Sequence, residues 1–296
     1  MRAPIASDYM RLGLLGMIWG SSFTGIRAAM EFILPLNLAA IRIVIAAILL
    51  LGFVRWRGYR LPGDLRTWMI LAVVGCLNSA LPFFLINWGE QVVESGTAAI
   101  LMAVSPLTAL CLSHFLTSDD RITLFKALGL GVGLCGVAVL FGVDALAGLG
   151  NELVAQAAIL GAAVCYAVAS VLTRRTAHVH PYAGTTAAMI CSAIVVTPLA
   201  LMLEPVPDFT YSFGEWAIIL YLAVVPTALA ALLLFRIISD AGASFMSQVN
   251  FIVPVTGVLL GGVLLGETIG LNETIALILV MAGITISRIT KRRAVR

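Results

Sequence analysis

The sequence predicts an all-α integral membrane protein in which ten transmembrane helices form two inverted-topology repeats of five helices around a central cavity. Three observations lead to this fold class: the apolar composition, a stretch that recurs in the second half of the chain, and the positions of the basic residues. Of the 296 residues, 61% are hydrophobic and 11% are charged. Soluble domains are closer to half apolar and a quarter charged, so we expect most of the surface to face lipid.

The apolar runs set the positions of the helices. Each run continues for about 20 residues, the length that a helix needs to cross a bilayer, and lacks the period-two alternation of barrel strands. The first run passes Gly20 without a signal-peptide cleavage site, so we assign it as the first span. The ten predicted helices cover residues 12–29, 36–54, 67–88, 95–117, 123–142, 152–173, 182–203, 215–236, 243–266 and 271–289.

One stretch of the first half recurs in the second. Residues 95–119 and 241–267 each open on small residues, carry a proline inside an apolar run and close on an acid. The prolines, Pro106 and Pro254, are 148 positions apart. A repeat of this length predicts a duplicated architecture.

The basic residues indicate how the two copies are oriented. With the N-terminus in the cytoplasm, 16 of the 18 Lys and Arg residues fall on the cytoplasmic side, as the positive-inside rule requires, and Arg27 and Arg42 do not. Because five is odd, the second half must enter the membrane from the opposite side. We therefore predict a first repeat at residues 1–150 and an inverted second repeat at residues 151–296, with both termini cytoplasmic. Inverted repeats are typical of secondary transporters.

Catalysis is not expected. The predicted helices lack the nucleophile–base pair or metal cluster that a membrane-embedded hydrolase needs, and the cysteine spacing fits no metal motif. We therefore expect no enzyme activity, no metal and no cofactor. None of the 15 acidic residues falls in the middle of a predicted helix, so we also expect transport without a buried carboxylate as proton carrier.

Several short motifs occur in a fixed order along the chain. They are Trp19-Gly20-Ser21-Ser22-Phe23, Pro35 followed by Arg42, Gly96-Thr97-Ala98-Ala99 through Pro106, and Gly242-Ala243 through Pro254 to Gly266-Glu267. This set resembles the EamA-type branch of the drug/metabolite transporter superfamily, and within it the bacterial exporters of aromatic amino acids. The first half departs conservatively at Ser118-Asp119, where the family usually has Gly-Glu. The resemblance implies a ten-helix basket with a central cavity, alternating access, and export of metabolites or drugs.

Polar and aromatic residues at mid-depth are the candidates for substrate binding. In the family that the sequence resembles, helices 3, 4, 8 and 9 line the cavity, with helices 1 and 6 beside them. Neutral amides can hold the ammonium and carboxylate of an amino acid, and aromatic rings can stack on its side chain. Packing between helices is the alternative role for each residue. The predicted substrate-binding residues are Asn78, Pro82, Met102, Tyr166, Gln248, Asn250 and Trp19.

Three further residues are candidates for gating. Arg42 lies about two turns inside helix 2, where a charge is expensive and faces protein or water. It is either a structural pin, bonded to helix-end carbonyls or Glu31, or a carboxylate-binding or gate residue. Pro106 and Pro254 each remove one helical hydrogen bond, and each is either a hinge or a static kink. Arg27 with Glu90 or Glu94 is a weaker candidate for an outer gate.

These patterns favour an exporter of small metabolites in the plasma membrane, the inner membrane in a bacterium. Amino acids with aromatic or hydrophobic side chains are the first candidates, and the partners are the substrate and lipid, without nucleic acid. Small residues in helix 5, at Gly129, Gly131, Gly133 and Gly136, favour packing within a monomer over a dimer face. Two alternatives remain: a drug or nucleotide-sugar carrier of the same fold, and a gated channel-like pore.

Overall fold

The computed structural model describes residues 4–116, 123–141 and 151–289, and every regular element within these ranges is helical. The all-α class is confirmed. The helices are α1 (Ala6–Ala29), α2 (Pro35–Trp56), α3 (Leu65–Gly89), α4a (Ser95–Met102), α4b (Ser105–Leu116), α5 (Leu124–Phe141), α6 (Asn151–Thr173), α7 (Pro181–Leu203), α8 (Phe213–Ala241), α9a (Ala243–Met246), α9b (Val249–Leu265) and α10 (Leu271–Ser287).

Six of the described helices are long and apolar enough to cross a membrane. They are α2, α3, the two pieces of α4 taken together, α6, α7 and α8, and each reaches at least 18 residues. The apolar stretches of α5 (Leu124–Leu140), α9b and α10 are shorter. A chain with this many spanning helices is a multi-pass membrane protein.

Local chemistry fixes several helix ends. Helix α2 begins at Pro35, whose missing N–H is one that the first turn leaves unpaired in any case. Helix α8 begins with a capping box, in which Ser212 Oγ accepts from the Glu215 N–H at 3.3 Å and the Glu215 carboxylate accepts from the Ser212 N–H at 2.6 Å. The Asp64 carboxylate caps α3 by accepting from the Thr67 N–H at 2.8 Å.

Two helices that the sequence predicts as continuous are broken. The predicted helix 95–117 is interrupted at residues 103–104, and the predicted helix 243–266 at residues 247–248. In the first case Pro106 lies in the opening turn of α4b and leaves the Met102 carbonyl without its helical donor, so Ser105 Oγ donates to that carbonyl at 2.8 Å instead. Pro254 lies inside α9b, on the C-terminal side of the interruption at residues 247–248.

Wide π turns interrupt α3 and α8 at matching positions. The first covers Cys76–Ala80 and the second Val224–Leu229, so the two begin 224 − 76 = 148 residues apart. Within the second, Pro226 cannot donate to the Leu222 carbonyl, and Thr227 Oγ1 donates to it at 2.7 Å. Such turns are frequent at functional sites.

The most extensive helix–helix packing joins the first half of the chain to the second. Helix α5 packs on α10, α1 on α9b, α2 on α7, and α3 on both α6 and α7. Small residues allow this close approach: a Cβ at Gly129 would lie 2.5 Å from the Gly283 carbonyl oxygen. Gly133 and Gly136 also face neighbouring side chains of the same chain, whereas Gly131 has nothing within 4 Å.

Candidate functional site

A cavity of about 740 Å³ lies between the two halves of the chain. Each helix that packs against a helix of the other half contributes residues to the wall of this cavity, and so does α8. Its volume falls within the range of about 300–1,000 Å³ that is typical of small-molecule sites. Both π turns reach the wall, the first through Asn78 and Ser79 and the second through Pro226 and Thr227.

Most of the residues predicted for substrate binding line this cavity. Trp19, Asn78, Met102, Tyr166 and Asn250 do so. The gating candidates line it as well: Arg42, Pro106 and Pro254.

Two predicted residues lie elsewhere. Pro82 is buried within α3 and does not contribute to the wall. Gln248 is exposed and also absent from the wall, because side chains two residues apart, as Gln248 and Asn250 are, do not share a face of a helix. The expected pair of amides from α9 is therefore reduced to Asn250, whose Nδ2 donates to the Ser247 carbonyl at 3.0 Å.

The cavity hydroxyls are mostly tied to their own helices. Ser22, Ser105 and Ser170 each donate to the carbonyl three residues earlier, at 2.6, 2.8 and 2.7 Å. Within the described part of the chain, the Asn78 amide makes no hydrogen bond and is exposed to the cavity. Asn78 is therefore the neutral polar group best placed to meet a ligand.

Arg42 is almost completely buried, with 3% of its surface exposed. Neither Glu31 nor a helix-end carbonyl is its partner. Instead, Nη2 lies 3.5 Å from Thr227 Oγ1, and the guanidinium carbon lies 4.4 Å above the centre of the Phe83 ring. Nε and Nη1 have no hydrogen-bond partner among the described residues.

One end of the bundle is closed by hydrogen bonds between the halves. The Glu267 carboxylate accepts from the Ser95 N–H at 2.8 Å, Ser95 Oγ at 2.9 Å and the Gly96 N–H at 3.0 Å. The Glu204 carboxylate accepts from the first two N–H groups of α2 beyond Pro35, at 2.9 and 2.8 Å. These carboxylates satisfy donors that a helix start leaves unpaired. We call this end the closed end; the sequence predicts it to be extracellular.

Arg27, a weaker candidate for an outer gate with Glu90 or Glu94, also bonds at the closed end. Its Nη1 donates to the backbone carbonyls of Glu90 and Gln91, at 2.6 and 2.8 Å, rather than to a carboxylate. At the other end of the bundle, which we call the basic end, Lys126, Arg174 and Arg288 line the cavity. The cavity therefore runs from the basic end to Arg42 near the closed end.

Glu90 is a residue whose environment the sequence does not reveal. It directly follows α3 and has the appearance of a loop acid, but it is fully buried, and both carboxylate oxygens lack a hydrogen-bond partner among the described residues. Burial, reinforced by the charge of Glu267, raises the pKa of its carboxyl well above the usual range, while Arg42 and Arg27 oppose this shift.

We expect Glu90→Gln to change how stability depends on pH. Because the pKa of Glu90 is raised in the folded protein, its neutral form is favoured there. That contribution is fully present below the unfolded pKa of about 4.3 and is lost as pH rises through the folded pKa. Glutamine is neutral throughout, so the unfolding temperature of the variant should decline less across this window. Exposed Glu31→Gln is the control; parallel curves for wild type and Glu90→Gln would contradict the burial of a neutral acid.

The chain matches a known family model twice. The model is that of the EamA-like transporter family, and it matches residues 10–142 and again residues 153–289. Among curated proteins, the uncharacterized inner membrane transporter YedA of Escherichia coli is 31% identical over 265 residues, covering 89% of this chain and 84% of its own. An uncharacterized transporter of Archaeoglobus fulgidus is 27% identical, covering 93% of this chain and 96% of its own.

A solved crystal structure supports the same fold. It covers 96% of this chain and 97% of its own length, with a TM-score of 0.67 at 20% identity. The family matches extend over nearly the whole chain, in agreement with the resemblance drawn from its motifs. The chain therefore belongs to the EamA-like transporter family, within the drug/metabolite transporter superfamily.

Proposed function

We propose that this protein exports small metabolites, with aromatic and hydrophobic amino acids as the first candidates, by alternating access between two inverted five-helix repeats. The observation that carries the proposal is the cavity of about 740 Å³, which lies between the halves, is closed by the Glu267 and Glu204 bonds at one end and reaches the basic end at the other. A site between two halves that move against each other is the arrangement that alternating access uses.

Several features support a duplicated, inverted architecture with ten spanning helices. The family model matches each half separately. The two π turns begin 148 residues apart, the same spacing as Pro106 and Pro254. Residues Trp19 and Tyr166, 147 positions apart, both line the cavity. In this arrangement both termini are cytoplasmic and the basic end faces the cytoplasm.

The cavity wall suits a ligand with an apolar body. Trp19, Phe23, Phe83 and Tyr166 supply aromatic surface, and Asn78 supplies a free amide. The described lining contains no Asp or Glu, which disfavours a quaternary cation as substrate.

A second candidate is a carrier of larger anionic metabolites such as nucleotide sugars. The observation that favours it is the set of basic residues in the wall: Lys126, Arg174 and Arg288 join Arg42 there. The sequence alone suggests Arg42 as the single basic residue of the cavity, so this alternative gains weight from the structure.

The test is flux of labelled amino acids into liposomes that contain the purified protein. We expect uptake that saturates and that unlabelled phenylalanine or leucine inhibits by competition. Asn78→Ala should reduce the flux about fivefold if its amide contributes a typical hydrogen bond of about 1 kcal/mol. Gln248→Ala is the matched control, since this amide lies off the cavity. Flux that does not saturate, or its absence for every amino acid, overturns the proposal. Unchanged flux with and without a pH gradient is expected if no proton is coupled.

A further inference from the structure

We propose that Arg42 binds the carboxylate of the transported substrate, at the deep end of the cavity. This inference rests on the proposed use of the cavity for transport and adds the chemical class of the substrate: an acid whose carboxylate enters first and whose apolar body remains among the aromatic residues.

The first reason is the burial of an incompletely paired cation. A charge with 3% exposure requires a partner, because leaving water costs several kcal/mol. The described residues give Arg42 one long contact of 3.5 Å to Thr227 and the face of Phe83, and no acid within 4.0 Å. Glu90 is near enough to act on Arg42 electrostatically, but it forms no ion pair with it.

The second reason is the geometry of the free donors. Nε and Nη1 are unpartnered, and the Nη2 contact is too long to hold that nitrogen firmly. The guanidinium edge formed by Nε and Nη2 is therefore available for two parallel N–H···O bonds, the arrangement in which arginine binds a carboxylate. Arg42 lines the cavity, and since Nε and Nη1 are themselves buried, a small movement of the side chain must bring them to a ligand inside it.

The third reason is the charge along the path. Lys126, Arg174 and Arg288 line the basic end, and within the described residues no acidic side chain contributes to the wall. A low-dielectric cleft lined by one sign of charge concentrates the opposite ion. Arg174 and Arg42, which have no acidic partner among the described residues, therefore give an anion that enters at the basic end a favourable potential.

The surroundings of Arg42 indicate what the rest of the substrate looks like. Phe83 lies beneath the guanidinium, and Trp19 and Tyr166 line the same cavity. These rings offer apolar and stacking contacts to a side chain that extends from the bound carboxylate. Phenylalanine and 3-phenylpropionate satisfy both requirements, whereas phenethylamine has the ring and lacks the acid.

The competing role for Arg42 is a purely structural pin between α2 and α8. Thr227 supplies the hydrogen bond on which such a pin depends. Thr227→Val removes that bond together with the bond from Thr227 Oγ1 to the Leu222 carbonyl, so we expect it to lower the unfolding temperature while keeping the preference for the acids over phenethylamine. If Arg42 acted only as a structural pin, Thr227→Val would weaken binding of the acids as strongly as Arg42→Gln does.

The experiment measures binding of three probes to the purified protein in nanodiscs, by change in tryptophan fluorescence. We expect phenylalanine and 3-phenylpropionate to bind and phenethylamine to bind at least about tenfold more weakly, the loss typical of a hydrogen bond to a charged group. Arg42→Gln should reduce affinity for both acids by at least about tenfold and should not reduce affinity for phenethylamine, whose ammonium the guanidinium repels. Arg42→Lys should restore part of the affinity, because the lysine ammonium keeps the positive charge but lacks the paired N–H donors of the guanidinium.

The outcomes separate this inference from the proposed function. Equal affinity of wild type for phenylalanine and phenethylamine overturns the inference, even if Arg42→Gln fails to fold. The inference also falls if none of the three probes binds. If phenylalanine is transported and Arg42→Gln binds it normally, transport stands and the inference does not. If phenylalanine is not transported but 3-phenylpropionate binds through Arg42, the amino-acid proposal falls and the inference stands.

Discussion

Gly129→Ala is expected to destabilise the protein by about 1–3 kcal/mol, the usual penalty for overpacking a tight interface. The added Cβ would lie 2.5 Å from the Gly283 carbonyl oxygen and 2.6 Å from the Ser287 nitrogen. Both are backbone atoms, so relief requires α5 and α10 to separate along their shared face. The unfolding temperature in detergent and the fraction of monodisperse protein measure the effect.

Gly131→Ala is the matched control for this prediction. It is the same substitution two residues away on the same helix, and nothing lies within 4 Å of its added Cβ. Since alanine is favoured over glycine inside a helix by about 0.5–1 kcal/mol, this variant should be as stable as wild type or more so. Equal unfolding temperatures for the two variants would show that the α5–α10 contact is looser than these distances indicate.

The helices could be predicted because a spanning segment must be apolar and satisfy its own backbone. The interruptions of α4 and α9 could not be predicted from the sequence. A proline in the first turn of α4b is compatible with a helix that starts anew as well as with a kink in a long one. At residues 247–248 no proline or glycine marks the interruption at all. The break does not explain the error at Gln248, since Ser247 in the same break lines the cavity; Gln248 and Asn250 are two residues apart and do not share a helix face.

The site was predicted in part. Asn78, Tyr166 and Asn250 are polar residues at mid-depth, and a cavity between two repeats must expose such residues. The partners of Arg42 were not predictable, because Thr227 is 185 positions away in sequence. The burial of Glu90 was missed for a similar reason, because it depends on helices that meet only in the folded chain.

Glu267→Gln is expected to open the closed end. Three hydrogen bonds to the carboxylate join the start of α4a to the segment after α9b. Bonds to a charged acceptor contribute about 1.5–3 kcal/mol each, and the glutamine amide nitrogen cannot accept from the donors that one carboxylate oxygen now serves. We therefore expect the population of open molecules to rise at least about tenfold, which corresponds to about 1.4 kcal/mol.

A cysteine at Thr97 reports this opening, because Thr97 is buried just inside the bond network. The five native cysteines are first replaced, and the labelling rate of Thr97→Cys by a polar maleimide is measured in detergent, so that membrane orientation does not matter. The rate should rise with the open population in Glu267→Gln. Glu215→Gln removes a carboxylate whose bonds are local to the start of α8, and it should leave the rate unchanged. If both variants label at the wild-type rate, the Glu267 bonds do not hold this end shut, and closure must depend on the Glu204 bonds and on packing between the halves.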